Sequence, residues 1–235
     1  MLRVGTTEGR FRMIMPDLML AFEAAQAGDG GEGEKQIRGY MEDAVTLHRM
    51  LSSGGLDLAF CGLTQQLPAD TDSRLLLDEQ LFFVISEGML RKYRPESLQA
   101  AQEGNRVADM RDFSGVPVCR SLPNLHCMQI LDEVLDAGQA ELNCVHVSGQ
   151  IDLHLELAAR DYAACFCLGM YLPYLRTING RTENKLHAFR IRGLEATNPV
   201  FLLQRKDRQP DPAAEAFIRL LEEKCREIAA IQDSI

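Results

Sequence analysis

Five of the seven cysteines, Cys119, Cys127, Cys144, Cys165 and Cys167, fall in one half of the chain, with His126 and His146 close beside them. Thiols and imidazoles together could hold a soft metal or carry redox chemistry. On strands, where side chains alternate with period two, Cys165 and Cys167 share a face, as do Cys144 and His146. No C-x-x-C pair and no H-x-x-x-H spacing accompanies them, so no metal site is expected. Most of these thiols read as small buried hydrophobes. Glu8, Asp161 and His126 are conceivable acid–base groups. However, no G-x-S-x-G, phosphate-binding loop or paired-carboxylate motif supports catalysis, and Gly5-Thr6-Thr7-Glu8-Gly9 lacks the G-x-G-x-x-G spacing of dinucleotide sites. The expectation is a non-enzyme without a cofactor.

The elements that must position such groups alternate along the chain. Leu2 to Thr6 reads as a strand, and Thr6 or Thr7 can cap a following helix from Arg10 to Gln26, striped by Phe11, Ile14, Leu18 and Phe22. Ala27 to Gly33 reads as a glycine-rich turn, Lys35 to Tyr40 as a second strand and Glu42 to Ser52 as a second helix. Gly54-Gly55 ends that helix, since glycine takes the left-handed cap conformation cheaply. Leu56 to Phe60 is a buried strand interrupted only by Asp57. A loop holding Pro68 to Asp72 follows, then one or two strands over Leu75 to Ser86. Met89 to Arg111 is polar and reads as a helix with loops.

A second set of elements has strands at Val116–Cys119, Leu142–Val147 and Tyr162–Leu168. Helices at Asn124–Ala137, stopped by Gly138, and at Gln150–Arg160 lie between them. Strands at Lys185–Arg190 and Val200–Gln204 and a terminal amphipathic helix from Pro212 to Ile228 complete the pattern. Strand, helix and strand in alternation predict an α/β fold in two discontinuous lobes. The boundaries read as residues 1–82 with 205–235 for the first lobe, and 83–204 for the second.

Composition narrows the function class. The 235 residues are 46% hydrophobic, enough for sizeable cores, yet the longest apolar runs are strand-length, so no membrane span is expected. Met1-Leu2-Arg3-Val4-Gly5 enters a strand at once, with no signal peptide pattern, which points to the cytoplasm, where an odd cysteine count stays reduced. A net charge of −9 makes the chain a poor nucleic-acid binder by itself.

The run Leu51 to Ala59, spaced L-x-x-G-x-L-D-L-A, resembles the effector-binding domain of LysR-type transcriptional regulators. Leu2 to Thr7, Met15 to Leu18 and Phe22 resemble that family's first strand and helix, and Leu77 to Val84 its strand into the second lobe. Asp132 to Gly138, Val147 to Ala159, Phe201 to Lys206 and Pro212 to Ile218 follow in the family's order. Arg160-Asp161-Tyr162 replaces its usual glycine-rich turn, Cys167 stands where proline is common, and segments 28–33 and 87–111 look enlarged.

The resemblance implies two Rossmann-like lobes joined by crossing strands, a type 2 periplasmic-binding-protein-like fold, without the winged helix-turn-helix that would contact DNA. Ligands of open α/β sheets sit beyond the carboxyl ends of strands. In the first lobe those places are Thr6, Thr7, Gly39, Tyr40, Cys61 and Gly62. In the second they are Arg120, Ser121, Asn124, Ser148, Gln150 and Cys167. Each also has a structural reading: caps for the threonines and serines, packing for Tyr40, a surface ion pair for Arg120. Hydroxyls and amides at such ends suit a small polar effector, a carboxylate above all, bound between the lobes. Cys127 lies where peroxide-sensing members carry a reactive cysteine, which makes it the redox candidate. The implied partners are the effector and a homodimer or homotetramer, with DNA reached only through the missing domain. The alternatives are a transport receptor of the same fold and a thiol-based redox sensor.

Overall fold

A computed structural model describes residues 1–28, 36–63, 67 and 69–235. The expected glycine-rich turn past residue 28, Lys35 and Pro68 lie outside the described residues. The chain runs β1 (Leu2–Thr6), α1 (Glu8–Met13), α2 (Met15–Gly28), β2 (Ile37–Met41), α3 (Ala44–Ser52), β3 (Leu58–Cys61) and β4 (Thr71–Glu79). It continues through β5 (Leu81–Ser86), α4 (Glu87–Tyr93), α5 (Pro95–Gln102), β6 (Val107–Ala108), β7 (Pro117–Arg120), α6 (His126–Gly138) and β8 (Asn143–Val147). Then come α7 (Ile151–Ala159), β9 (Ala164–Leu168), α8 (Leu172–Arg181), β10 (Leu186–Ile191), β11 (Asn198–Arg205) and α9 (Pro212–Asp233).

These elements form two compact units: Met1–Asp78 with Pro199–Ala229, and Glu79–Asn198 with Ala230–Ile235. The first holds a five-stranded sheet ordered β2-β1-β3-β11-β4. β1 runs parallel to β2 and to β3, and β11 runs antiparallel to β3. Residues 199–204, read from the sequence as second-lobe, therefore belong to the first sheet through that pairing. The last turn of α9 belongs with the second unit because the Gln232 side chain accepts from the Gln80 N–H at 2.9 Å, and its carbonyl accepts from Arg190 at 3.1 Å.

Local chemistry explains the first unit. Asp57, just ahead of β3, ties β1 to the start of that strand: its carboxylate accepts from the Arg3 backbone N–H at 2.9 Å and from Nη2 at 2.6 Å. Asp43 caps α3 by accepting from the Thr46 N–H at 2.9 Å. Gly54, at φ +75°, ends the helix in the left-handed conformation that L side chains resist. Gly5 leaves room where a Cβ would stand 2.5 Å from Leu47 and Leu56. The single helix expected over Arg10–Gln26 is two, broken at Ile14. Pro16 has no N–H for the Arg12 carbonyl, and its ring crowds the preceding turn.

The second unit has a six-stranded sheet ordered β6-β10-β5-β9-β7-β8. All six residues of β5 are buried, and Phe83 packs edge-on against Phe113 at 4.9 Å and, tilted, against Phe166 at 5.5 Å. The enlarged polar stretch resolves into α4, α5, the short β6 and a 3₁₀ turn at Met110–Phe113. Gly138 does not stop α6 from outside; it is the last helical residue, and Gln139 takes the left-handed cap at φ 51°. Residues 172–181, unassigned in the sequence reading, form α8 on buried Leu172, Leu175 and Ile178.

Candidate functional site

Because β1, β2 and β3 are parallel, Thr6, Met41 and Cys61 mark one end of the first sheet. Thr6 is fully buried and its hydroxyl donates to the Phe60 carbonyl at 2.6 Å. Thr7 occupies the N-cap position of α1, yet its hydroxyl makes no cap bond and accepts from Arg10 Nη1 at 3.0 Å. Arg10 itself is buried, its aliphatic stem on the stripe that continues to Ile14 and Leu18. Cys61 closes this corner with its Sγ 3.8 Å from His48 Nε2. Burial pushes the Cys61 thiol up to about 11, against the opposing field of Arg10. Burial also lowers the His48 pKa.

Thr6, Thr7 and Cys61 thus come together, and Arg10 joins them. Gly39 and Tyr40 do not reach the strand end, because β2 runs on to Met41. Gly39 pairs with Val4, and a Cβ there would stand 2.7 Å from the Phe11 ring. Tyr40 packs against the core of Leu47, Leu51, Leu56, Ala59, Cys61 and Leu203. Gly62 follows β3, with room for a Cβ at ordinary contact distance from the Pro199 carbonyl.

In the second sheet β7 is parallel to both β8 and β9, so Arg120, Val147 and Leu168 share an end. Arg120 pairs with Asp132 of α6. Ser121, 3% exposed, has a buried hydroxyl with no hydrogen-bond partner among the described residues. Ser148 donates its N–H to the Arg120 carbonyl at 3.1 Å, and its Oγ lies 2.9 Å from His154 Nε2. Asn124 is exposed ahead of α6, and Gln150 is an exposed N-cap of α7 without a side-chain cap bond. Cys167 lies inside β9 with no exposed surface, paired with Phe82, so its thiol is wall rather than surface. Burial and the neighbouring Glu79 carboxylate push that thiol far up.

Two residues that the sequence reading passed over belong to these corners. Arg10 and His154 each sit on the buried face of an otherwise apolar helix stripe, and that misplaced polarity is the signal. Burial, with His146 adding to it, lowers His154 to about 4. None of the seven cysteines is in a disulfide, and Cys127 is buried in the first turn of α6. Burial raises Cys119 to about 11 and Cys165 well above the usual thiol range. Among the described residues no group of three or more His, Cys, Asp or Glu could hold a metal, and no helix is long and apolar enough to cross a membrane.

Solved structures with the same fold include the effector binding domain of QuiR in complex with shikimate (TM-score 0.63, 14% identity, 96% of this chain and 97% of that one). HinK, a LysR family transcriptional regulator from Pseudomonas aeruginosa, matches with TM-score 0.67 and 16% identity over 95% of this chain and 69% of its own. The bromide ion-bound regulatory domain of HypT from Salmonella typhimurium matches with TM-score 0.65 and 13% identity over 96% and 95%. The fold is therefore the two-lobe, periplasmic-binding-protein-like one. No curated protein sequence matches the chain. Residues 1–226 match the model of the LysR substrate binding domain, and the chain belongs to that family of effector-binding domains from transcriptional regulators.

Proposed function

We propose that this chain senses a small carboxylate metabolite at the carboxyl ends of its parallel strands and passes the resulting conformational change to a DNA-binding domain. Arg10 carries the reading: its buried guanidinium donates to Thr7 and acts on the Cys61 thiol at the end of β1 and β3, a cation suited to an anionic group there. Charge-assisted hydrogen bonds from arginine to a carboxylate are among the stronger polar contacts. Relatives lend support, since the QuiR domain is in complex with shikimate and the HypT domain is bromide ion-bound. A ligand shifts the regulator only so far as it binds one conformation better than the other. Family membership also supports self-association as a homodimer or homotetramer and a cytoplasmic location.

The test is a thermal-shift screen of carboxylates, amino acids and aromatic metabolites, followed by titration calorimetry of each hit. Arg10→Gln should weaken carboxylate hits by about 10-fold or more, the loss expected for one charge-assisted contact. Carboxylates that bind equally well to the variant would sink the reading.

A further inference from the structure

The end of the second sheet differs chemically from that of the first. Cys119 pairs with His146 and Arg120 with Val147, so alternation carries Ser121 and Ser148 onto the face of Cys119 and His146. His154 reaches that face from α7: its ring meets His146 edge-on at 5.7 Å, and its Nε2 meets Ser148 Oγ at 2.9 Å. Charge in this corner is already matched, since Arg120 is paired with Asp132 and Asp152 occupies the first turn of α7. Two hydroxyls remain, Ser121 buried and Ser148 half-buried. Ser121 Oγ lacks a partner among the described residues, and a serine hydroxyl such as Ser148 Oγ, with the imidazole in one position, can still take a further hydrogen bond.

We infer that Ser121 and Ser148 form a neutral subsite for a hydroxyl group of the effector, with His154 as the positioning residue that orients the Ser148 hydroxyl. This rests on the reading that the strand ends hold the effector. A ligand hydroxyl donates to one serine and accepts from the other, whichever ring nitrogen of His154 bears the proton. A carboxylate finds no unmatched cation here, and a carbonyl only accepts. Burial keeps the imidazole uncharged at neutral pH, so the corner gains no positive charge there. This corner thus takes an effector that carries a hydroxyl.

Matched pairs test it: malate against succinate, lactate against propionate, and 3-hydroxybenzoate against benzoate, by titration calorimetry on the protein and its variants. The hydroxylated member of at least one pair should bind about 5- to 10-fold tighter, the worth of one net hydrogen bond. Ser148→Ala and His154→Leu should abolish that preference and leave the deoxy member within about twofold. His154→Gln, whose amide reaches the imidazole Nε2 position, should restore it, which a merely space-filling role for His154 would not require. Should His154→Leu fail to fold, Ser148→Ala and Ser121→Ala decide. Equal affinity within every pair, or a preference that survives Ser148→Ala, overturns the subsite and leaves carboxylate sensing standing. Failure of every compound to bind overturns both.

Discussion

Arg10 and His154 occupy comparable places, each a polar head on an apolar helix stripe, each buried beside a hydroxyl at a strand end. They differ in charge, and the difference has a measurable consequence for His154. Its folded pKa of about 4 lies below the ordinary 6.5, so the unfolded chain takes up a proton across that window that the folded chain refuses. Stability is complete above 6.5 and falls as pH drops towards 4. Acidification from about pH 7 to pH 5 should therefore lower Tm by about 2–4 °C for each kcal/mol lost. The fall should be shallower in His154→Gln, and identical Tm profiles for the two proteins would refute the assignment. His48, also lowered by burial, adds to the slope in both. Both residues carry a signal, a polar head out of pattern on an apolar stripe, which the sequence reading passed over. What they face carries no such signal, because the partners Thr7 and Ser148 are set by caps and strand ends rather than by spacing alone.

Elements show the same division. Asp57 interrupts an apolar strand in sequence, and in the fold its carboxylate holds both the backbone and the guanidinium of Arg3. Burial raises its pKa, but the bonds from Arg3 outweigh that and hold it below the usual carboxylate range. Asp57→Ala leaves the part-buried Arg3 groups without their acceptor and should destabilise by about 1–3 kcal/mol in urea unfolding. Gly5→Ala should cost about 1–3 kcal/mol by overpacking, because the new methyl meets Leu47 and Leu56 at 2.5 Å. An unchanged urea midpoint for either variant would contradict these contacts. The strands were readable because β1, β3, β5 and β9 are short, apolar and bounded by turns. The helix break at Ile14 follows from Pro16, a local signal that the periodic stripe through Phe22 overrode. α8 was not readable, since Pro173, Asn179 and Gly180 look like a loop and only packing of Leu172, Leu175 and Ile178 makes the segment helical.

For the whole molecule, the chain passes between its two units at residues 78–79, 198–199 and 229–230. The last passage depends on Gly169, where a Cβ would stand 1.7 Å from Gln232 Oε1. Gly169→Ala should displace Gln232 from the Gln80 N–H, raising hydrogen exchange at that amide and lowering stability by about 1–3 kcal/mol. Unaltered exchange at Gln80 would show the tie to be dispensable. At the other edge of the second sheet, β8 presents Val145 and Val147 to solvent, 42% and 50% exposed. An open apolar edge invites pairing with another chain. If self-association uses it, Val145→Lys should give a monomer by light scattering with Tm unchanged within about 2 °C. β11 has a different reach. It lies between β3 and β4 in the first sheet, though residues 79–198 intervene along the chain. A ribosome therefore releases every strand of the second sheet before the first can be completed. The second sheet is the one free to form during synthesis, although its tie to Gln232 comes later, and the corner that holds Arg10 waits for β11. A chain arrested before β11 would own its neutral subsite and lack a finished sheet behind its charged one.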